Sequence, residues 1–179
     1  MVSNEQAEQR DALTGVFNRR KFHSDLESAL RDAGQISCIL ADLDEFKKVN
    51  DTYDHEVGNR ILRDAAQIFA TRCAASPRSF GPYRHGGEAF CVFLTDVDAE
   101  KTVELSESLR GGVERLRFDA YPHLRVTARL AVVTVALQGR DGGQRHRCEE
   151  YLLSKAHEAI YCHPKDKKHN EVVMVPQEG

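Results

Sequence analysis

Apolar residues recur along this chain with two different periods, and the points where the period changes mark the expected elements. In NRRKFHSDLESALRDAG (18–34), Phe22, Leu26, Ala29 and Leu30 share one helical face, and Gly34 is the expected C-cap. ISCILADLD (36–44) then reads as a short buried strand, because four of its first six residues are Ile, Cys or Leu and the acids enter only at its C-terminal end. HEVGNRILRDAAQIFATRC (55–73) returns to helix spacing with Val57, Ile61, Ala65, Ile68 and Phe69. Strand, glycine turn and strand follow in SFGPYRHGGEAFCVFLTD (79–96), a β-hairpin with its tip at Gly86 and Gly87.

The second half repeats these signals. DAEKTVELSESLRGGVERL (98–116) carries Val103, Leu109, Val113 and Leu116 in helical register, and Gly111 and Gly112 predict a bend or an early end. RVTARLAVVTVAL (125–137) is β-rich, and QGRDGGQRHR (138–147) reads most simply as a solvated basic loop. CEEYLLSKAHEAIY (148–161) is the last helix, and NEVVMV (170–175) is a closing strand. Helices and antiparallel hairpins around one sheet predict an α+β fold with a split βαβ core.

Composition narrows the function classes. At 179 residues and 41% hydrophobic content the chain suits one core and one domain, without repeats or an interdomain linker. Its 25 Lys+Arg against 28 Asp+Glu give a formal charge of -3, which argues against nucleic-acid binding by phosphate neutralisation. No run approaches the ~20 apolar residues of a membrane span, so a soluble, cytoplasmic domain is expected, and a sensor or membrane segment upstream of residue 1 stays open. The 5 cysteines are odd in number and scattered, which predicts reduced, mostly buried thiols. His146/Cys148 and Cys162/His163 lack close CxxC spacing, and no zinc site is assigned to them.

Candidate chemistry gathers at strand ends. Asp42 and Asp44 are two apart, so in extended chain they point the same way unless the strand has already ended between them. One of them and the hairpin acid Glu88 converge on a metal if their strands are neighbours; hard oxygen ligands beside a phosphate-bearing substrate suit Mg²⁺. By spacing alone the same acids serve equally as helix caps facing water. Lys47 and Lys48 either neutralise phosphate or lie on ordinary surface, and Asn50 and Asp51 either form a turn or, for Asn50, read a base edge.

The strings DALTGVFNRRKF (11–22), DLDEFKKVNDTYDHEVGNRIL (42–62), RHGGEAF (84–90) and AHEAIY (156–161) with NEVVMV resemble, in order and spacing, the GGDEF family of diguanylate cyclases. The likeness runs from about Asp11 to Val175; residues 1–10 are then a linker or helix, and 11–179 the GGDEF domain. It implies a palm-like fold with a central, mainly antiparallel sheet flanked by helices. The implied role is bacterial cyclic di-GMP signalling: two domains meet face to face in a transient dimer, each holding one GTP, and each 3'-hydroxyl attacks the other's α-phosphate, giving cyclic di-GMP and pyrophosphate. By position, the resemblance implies Mg²⁺ or Mn²⁺ on Asp42, Glu88 and the Leu43 carbonyl, with Glu88 also helping to deprotonate the hydroxyl. Lys47 and Lys165 would hold phosphate, Asn50 and Asn59 would face the base, and Gly86 and Gly87 would let the backbone approach the nucleotide. Arg84 precedes the hairpin as the family pattern expects.

Departures from the pattern are as informative. The signature's fourth position, normally Glu, is Ala89, and the guanine-reading Asp is Asn59, whose NH₂ would face a donor on guanine. Asp54-His55 stands where the family has Gly-His, the second basic phosphate contact is ambiguous between Lys168 and His169, and the product-binding RxxD ends fall on Pro77 and Phe80. Two expectations follow: a degenerate domain, weakly active or inactive, that binds GTP and metal, or an active cyclase with a permissive signature.

Overall fold

Among the residues that the computed structural model describes, 8–162 and 169–176, six strands form one mixed sheet. In chain order the elements are β1 (Phe17–Asn18), α1 (Arg19–Asp32), β2 (Gln35–Leu43), α2 (Phe46–Thr52), α3 (His55–Ala74), β3 (Ser79–Arg84), β4 (Ala89–Thr95), α4 (Ala99–Glu114), β5 (Ala128–Ala136), α5 (Gly142–Tyr161) and β6 (Val172–Val175). The spatial order is β1-β3-β4-β2-β5-β6. The three inner pairings are antiparallel and the two outer ones parallel, so the sheet is mainly antiparallel, as expected.

Apolar runs in β2, β4 and β5 are continuous because helices cover both sheet faces. Ile39, Ala41, Phe90, Val92, Leu130 and Val132 pack toward α2, α3 and α4, around Ile61, Phe69 and Leu109. Cys38, Leu40, Cys91, Phe93, Ala131 and Val133 pack toward α1 and α5, around Phe22, Leu26 and Leu152. The helices start where a side chain satisfies a backbone N–H that has no partner within the helix: Asn18 for α1, Asp98 for α4, and Asp141 with Gln144 as a capping box for α5. Cys38, Cys73, Cys91 and Cys148 are buried free thiols, while Cys162 is exposed.

Four local expectations are corrected. Gly34 is not the cap of α1; Ala33 is, in extended backbone, and Gly34 N–H donates instead to Asp96 Oδ1 at 2.8 Å. Gly111 and Gly112 neither bend nor end α4, which continues to Glu114. A Cβ at Gly112 would lie 2.5 Å from Ile68 Cγ2, so glycine there lets α4 approach α3 closely. Nor is the basic stretch 138–147 all loop, since α5 begins at Gly142 once the capping box is formed. Asn50 and Asp51 likewise lie within α2 rather than in a turn.

Asp54, which N-caps α3 through a 2.9 Å bond from Val57 N–H, has φ 134° and ψ 173°. That region is essentially reserved for glycine, at a strain on the order of 1–3 kcal/mol for other residues, while an Asp-to-Gly cap change costs only a few tenths, about 0.3 kcal/mol. Asp54→Gly is therefore expected to stabilise the domain by about 1 kcal/mol, raising Tm by ~2–4 °C. Asp54→Ala, which keeps the strain and loses the cap, should lower it. Thermal denaturation of the two variants checks the sign.

Candidate functional site

Strand pairing builds a row of three side chains at one end of the sheet. Asp42 is in register with Ala89 of β4 on one side and with Arg129 of β5 on the other. Two residues further into each strand, Leu40, Cys91 and Ala131 all pack into the core under α1 and α5, so alternation places Ala89, Asp42 and Arg129 on that same face. Cross-strand neighbours of this kind have Cβ atoms ~4.5–5.5 Å apart. Beside Asp42 there is thus a methyl group on one flank and a guanidinium on the other.

The second acid arrives from the hairpin. Leu43 N–H donates to the Glu88 carbonyl at 3.3 Å, so the chain at Glu88 runs beside the exit of β2. Because β4 begins only at Ala89, Glu88 belongs to the turn. Its charge acts on the phenol of Tyr161, at the end of α5, whose hydroxyl donates to Asp42 Oδ1 at 2.7 Å. Partial burial, that hydrogen bond and the charges of Asp42 and then Glu88 push the Tyr161 phenol well above the ordinary tyrosine range. A cavity of about 290 Å³ lined by Asp42, Asp44, Arg129 and Tyr161, but not by Glu88, opens beside Asp42. Asp44 is partly committed elsewhere: its Oδ2 accepts from Thr127 Oγ1 at 2.7 Å and from Asn170 N–H at 2.8 Å. Among the described residues no group of three or more His, Cys, Asp or Glu could enclose a metal. The oxygen donors suit an ion held by two carboxylates and a carbonyl and completed by ligand or water oxygens.

The glycine turn is held from outside itself. His85 N–H and Gly86 N–H both donate to the Ala89 carbonyl, at 2.9 and 3.3 Å. Arg84 donates through Nε and Nη2 to the Gly87 carbonyl and through Nη1 to Asp11 Oδ1 at 2.9 Å. Asp11 also accepts from the backbone and hydroxyl of Thr14, which fixes the N-terminal segment against the hairpin. Gly86 and Gly87 are exposed, and a Cβ at Gly87 would meet nothing within 4 Å; the protein's own packing does not demand glycine there.

His85 is buried between α1 and α5, edge-on to Phe22 and near His23 and His157, with Nδ1 lacking a hydrogen-bond partner. Burial first, then the charges of Arg19, His157 and His23, lower its pKa from 6.5 to about 4. Between these values the unfolded chain carries a proton that the native state refuses. Stability from this group is intact above pH 6.5 and falls as pH drops toward about 4. A loss on the order of 2 kcal/mol is expected over that window. Urea unfolding at pH 7.5 and pH 5 measures it, and His85→Gln should flatten the dependence.

Across the sheet, the Asn50 amide lies over Gly58, where a Cβ would come within 2.0 Å of Asn50 Oδ1. That oxygen is buried against Gly58 without a hydrogen-bond partner. Asn59 follows in the first turns of α3, half-buried. Lys47 is exposed on α2 with no ion pair among the described residues, whereas Lys48 pairs with Glu45 at 3.5 Å. Lys165, Lys168 and His163 lie outside the described residues. Sequence reasoning did not place Arg129 and Tyr161 beside Asp42. An arginine among the mostly apolar residues 128–137 was a usable signal for the first; nothing local marked the second.

The model of the family described as "Diguanylate cyclase, GGDEF domain" matches residues 8–170. The response regulator PleD of Caulobacter vibrioides is 33% identical over 159 residues, covering 84% of this chain and 33% of that protein. Diguanylate cyclase DosC of Escherichia coli is 30% identical over 155 residues, covering 84% of this chain and 32% of that protein. The chain thus spans about a third of these curated relatives. Among solved structures, the coiled coil and GGDEF domain of DgcB from Caulobacter crescentus, in complex with c-di-GMP, superposes with a TM-score of 0.78 at 23% identity, covering 96% of this chain and 87% of that one.

Proposed function

The chain belongs to the GGDEF family, and on that premise we propose that it is a cyclic di-GMP signalling domain that still holds GTP and metal but condenses GTP slowly or not at all. One observation carries the reading: the residue in register with Asp42 is Ala89. An acid there would stand on Asp42's own face, one strand away, so its replacement by a methyl removes a charged group from the centre of the site. Losing one positioning or electrostatic group at a reacting centre typically costs ~10²–10³ in rate.

The groups for binding remain. Asp42, Glu88 and the Leu43 carbonyl would hold Mg²⁺ or Mn²⁺, which supplies charge neutralisation to the triphosphate when bound. Glu88 takes up the proton of the attacking 3'-hydroxyl. Lys47 and Lys165 bind phosphate oxygens, and Gly86 and Gly87 leave the hairpin backbone open to the nucleotide. Asn50 faces the base through its amide, while Asn59 accepts at only one atom, so guanine preference is weakened. Product feedback is absent on this reading, because Pro77 and Phe80 offer neither guanidinium nor carboxylate. The working partner is a second GGDEF domain, met face to face and transiently, under the control of a sensor domain in a longer cytoplasmic or membrane-tethered protein. No helix among the described residues is long and apolar enough to cross a membrane. An active cyclase is the second reading, favoured by the adjacency of Glu88 and the β2 exit.

Calorimetric titration of GTP into the wild-type chain with Mg²⁺ tests the proposal. Saturable binding that disappears on chelation is expected; no binding with or without metal would overturn it.

A further inference from the structure

The geometry points to Arg129 as a phosphate-contacting cation of the Asp42 site, so that an anionic polyphosphate is held by one divalent ion together with Arg129 rather than by two ions. This rests on the nucleotide-binding reading above and adds a residue and a metal count to it.

Arg129 is an unusual residue for its place. It interrupts an apolar central strand, and its side chain is 9% exposed. A buried guanidinium is costly unless its donors are matched, and here they are matched only in part. Nη1 donates to the Ile160 carbonyl at 3.0 Å, near the C-terminus of α5. Nε lies 3.0 Å from Glu171 Oε1, an ion pair by distance, yet the N–H is not directed at that oxygen and Nε is left buried without a hydrogen bond. No hydrogen bond from Nη2 is found among the described residues. The under-used guanidinium lines the same cavity as Asp42, Asp44 and Tyr161. With Nη1 engaged and Nε buried, Nη2 at the wall of that cavity is the donor left to reach a phosphate oxygen.

The metal count follows from the row across the sheet. Neither strand beside Asp42 offers a second divalent ion a carboxylate, since one flank is the methyl of Ala89 and the other the positive Arg129, while Asp44 Oδ2 is engaged by Thr127 and Asn170 and Glu45 pairs with Lys48. Asp42 and Glu88 together suffice for one ion, since Mg²⁺ commonly takes only about one or two protein carboxylates and completes its shell with phosphate and water. Arg129 then supplies the remaining positive charge to the polyphosphate.

The test uses the purified chain with inorganic tripolyphosphate and, separately, GTP. Affinity is read by calorimetry, and bound metal is counted by electron paramagnetic resonance of Mn²⁺. One Mn²⁺ per bound tripolyphosphate is expected. Arg129→Met should weaken tripolyphosphate and GTP by about tenfold or more, and Arg129→Lys should recover most of that loss. Glu171→Gln removes the competing carboxylate and should tighten both ligands about threefold, an effect that a purely structural Arg129–Glu171 pair would not produce. Two Mn²⁺ per ligand in the wild type, or a folded Arg129→Met chain with unchanged affinity, overturns the assignment; if Arg129→Met does not fold, an unchanged affinity in Glu171→Gln overturns it. GTP binding that is lost in Asp42→Asn but kept in Arg129→Met sinks this inference alone. A wild type that binds neither ligand removes the nucleotide reading and this inference with it.

Discussion

Ala89→Glu combined with Asn59→Asp is expected to raise cyclic di-GMP formation by ~10²–10³ over the wild type, and by more than either change alone. Position 89 opens β4, in register with Asp42 and on its face, so the new carboxylate stands beside Asp42 rather than at a distance from it. It also arrives opposite a compensating charge, since Arg129 flanks Asp42 on the other side. Ala89 is buried at 7% exposure, so the longer side chain must extend past the exposed turn at Gly86 and Gly87. Asn59→Asp acts on a different quantity: it restores an acceptor pair for the two donors of the guanine edge, so it improves the fraction of sites holding the right base. The two changes act on chemistry and on recognition, and their effects should combine. Pyrophosphate release at sub-saturating GTP and high protein concentration, where a face-to-face pair can form, measures the combined gain. Adding Glu88→Ala should abolish it.

Removing the charge of Asp42 should have a comparably large effect on binding. Asp42→Asn is the informative change, because the amide oxygen still accepts from Tyr161 at the place where the carboxylate Oδ1 now does at 2.7 Å. Folding and the end of α5 should be preserved, while metal-dependent GTP affinity falls by about 10²-fold. The Tyr161 phenol offers an internal check. Its pKa is held up by the hydrogen bond and charge of Asp42 after partial burial, so it should move back toward the ordinary tyrosine range in Asp42→Asn. Spectrophotometric titration of the phenol and calorimetry of GTP with Mg²⁺ report the two effects separately.

What was legible in the sequence divides by the range of the interaction. Strands β2, β4 and β5 were readable because an apolar run records burial on both faces. The hairpin was readable because two glycines between β-rich flanks fix a turn locally. Asp42 and Glu88 were readable as acids at strand ends, and the pairing of β2 with β4 does bring their chains together. The glycines at 34, 111 and 112 were misread because their reason is tertiary: a hydrogen bond to Asp96 in one case and the approach of Ile68 in another. The start of α5 was hidden by its own glycines, which obscured the capping box that Asp141 and Gln144 form. Arg129 and Tyr161 could not be placed by spacing, since their meeting with Asp42 depends on β2 pairing with β5 and on α5 crossing back over the sheet. Asn50 illustrates the intermediate case: its type suggested base reading, but only the fold shows its oxygen buried and unmatched over Gly58.

The central claim, that binding outlives condensation, is tested most directly by incubating concentrated wild-type chain with saturating GTP and Mg²⁺ and separating the quenched mixture by chromatography. The account predicts bound, intact GTP with cyclic di-GMP formed only slowly or not at all. Rapid conversion of GTP to cyclic di-GMP, at a rate that Ala89→Glu with Asn59→Asp cannot improve, would contradict it.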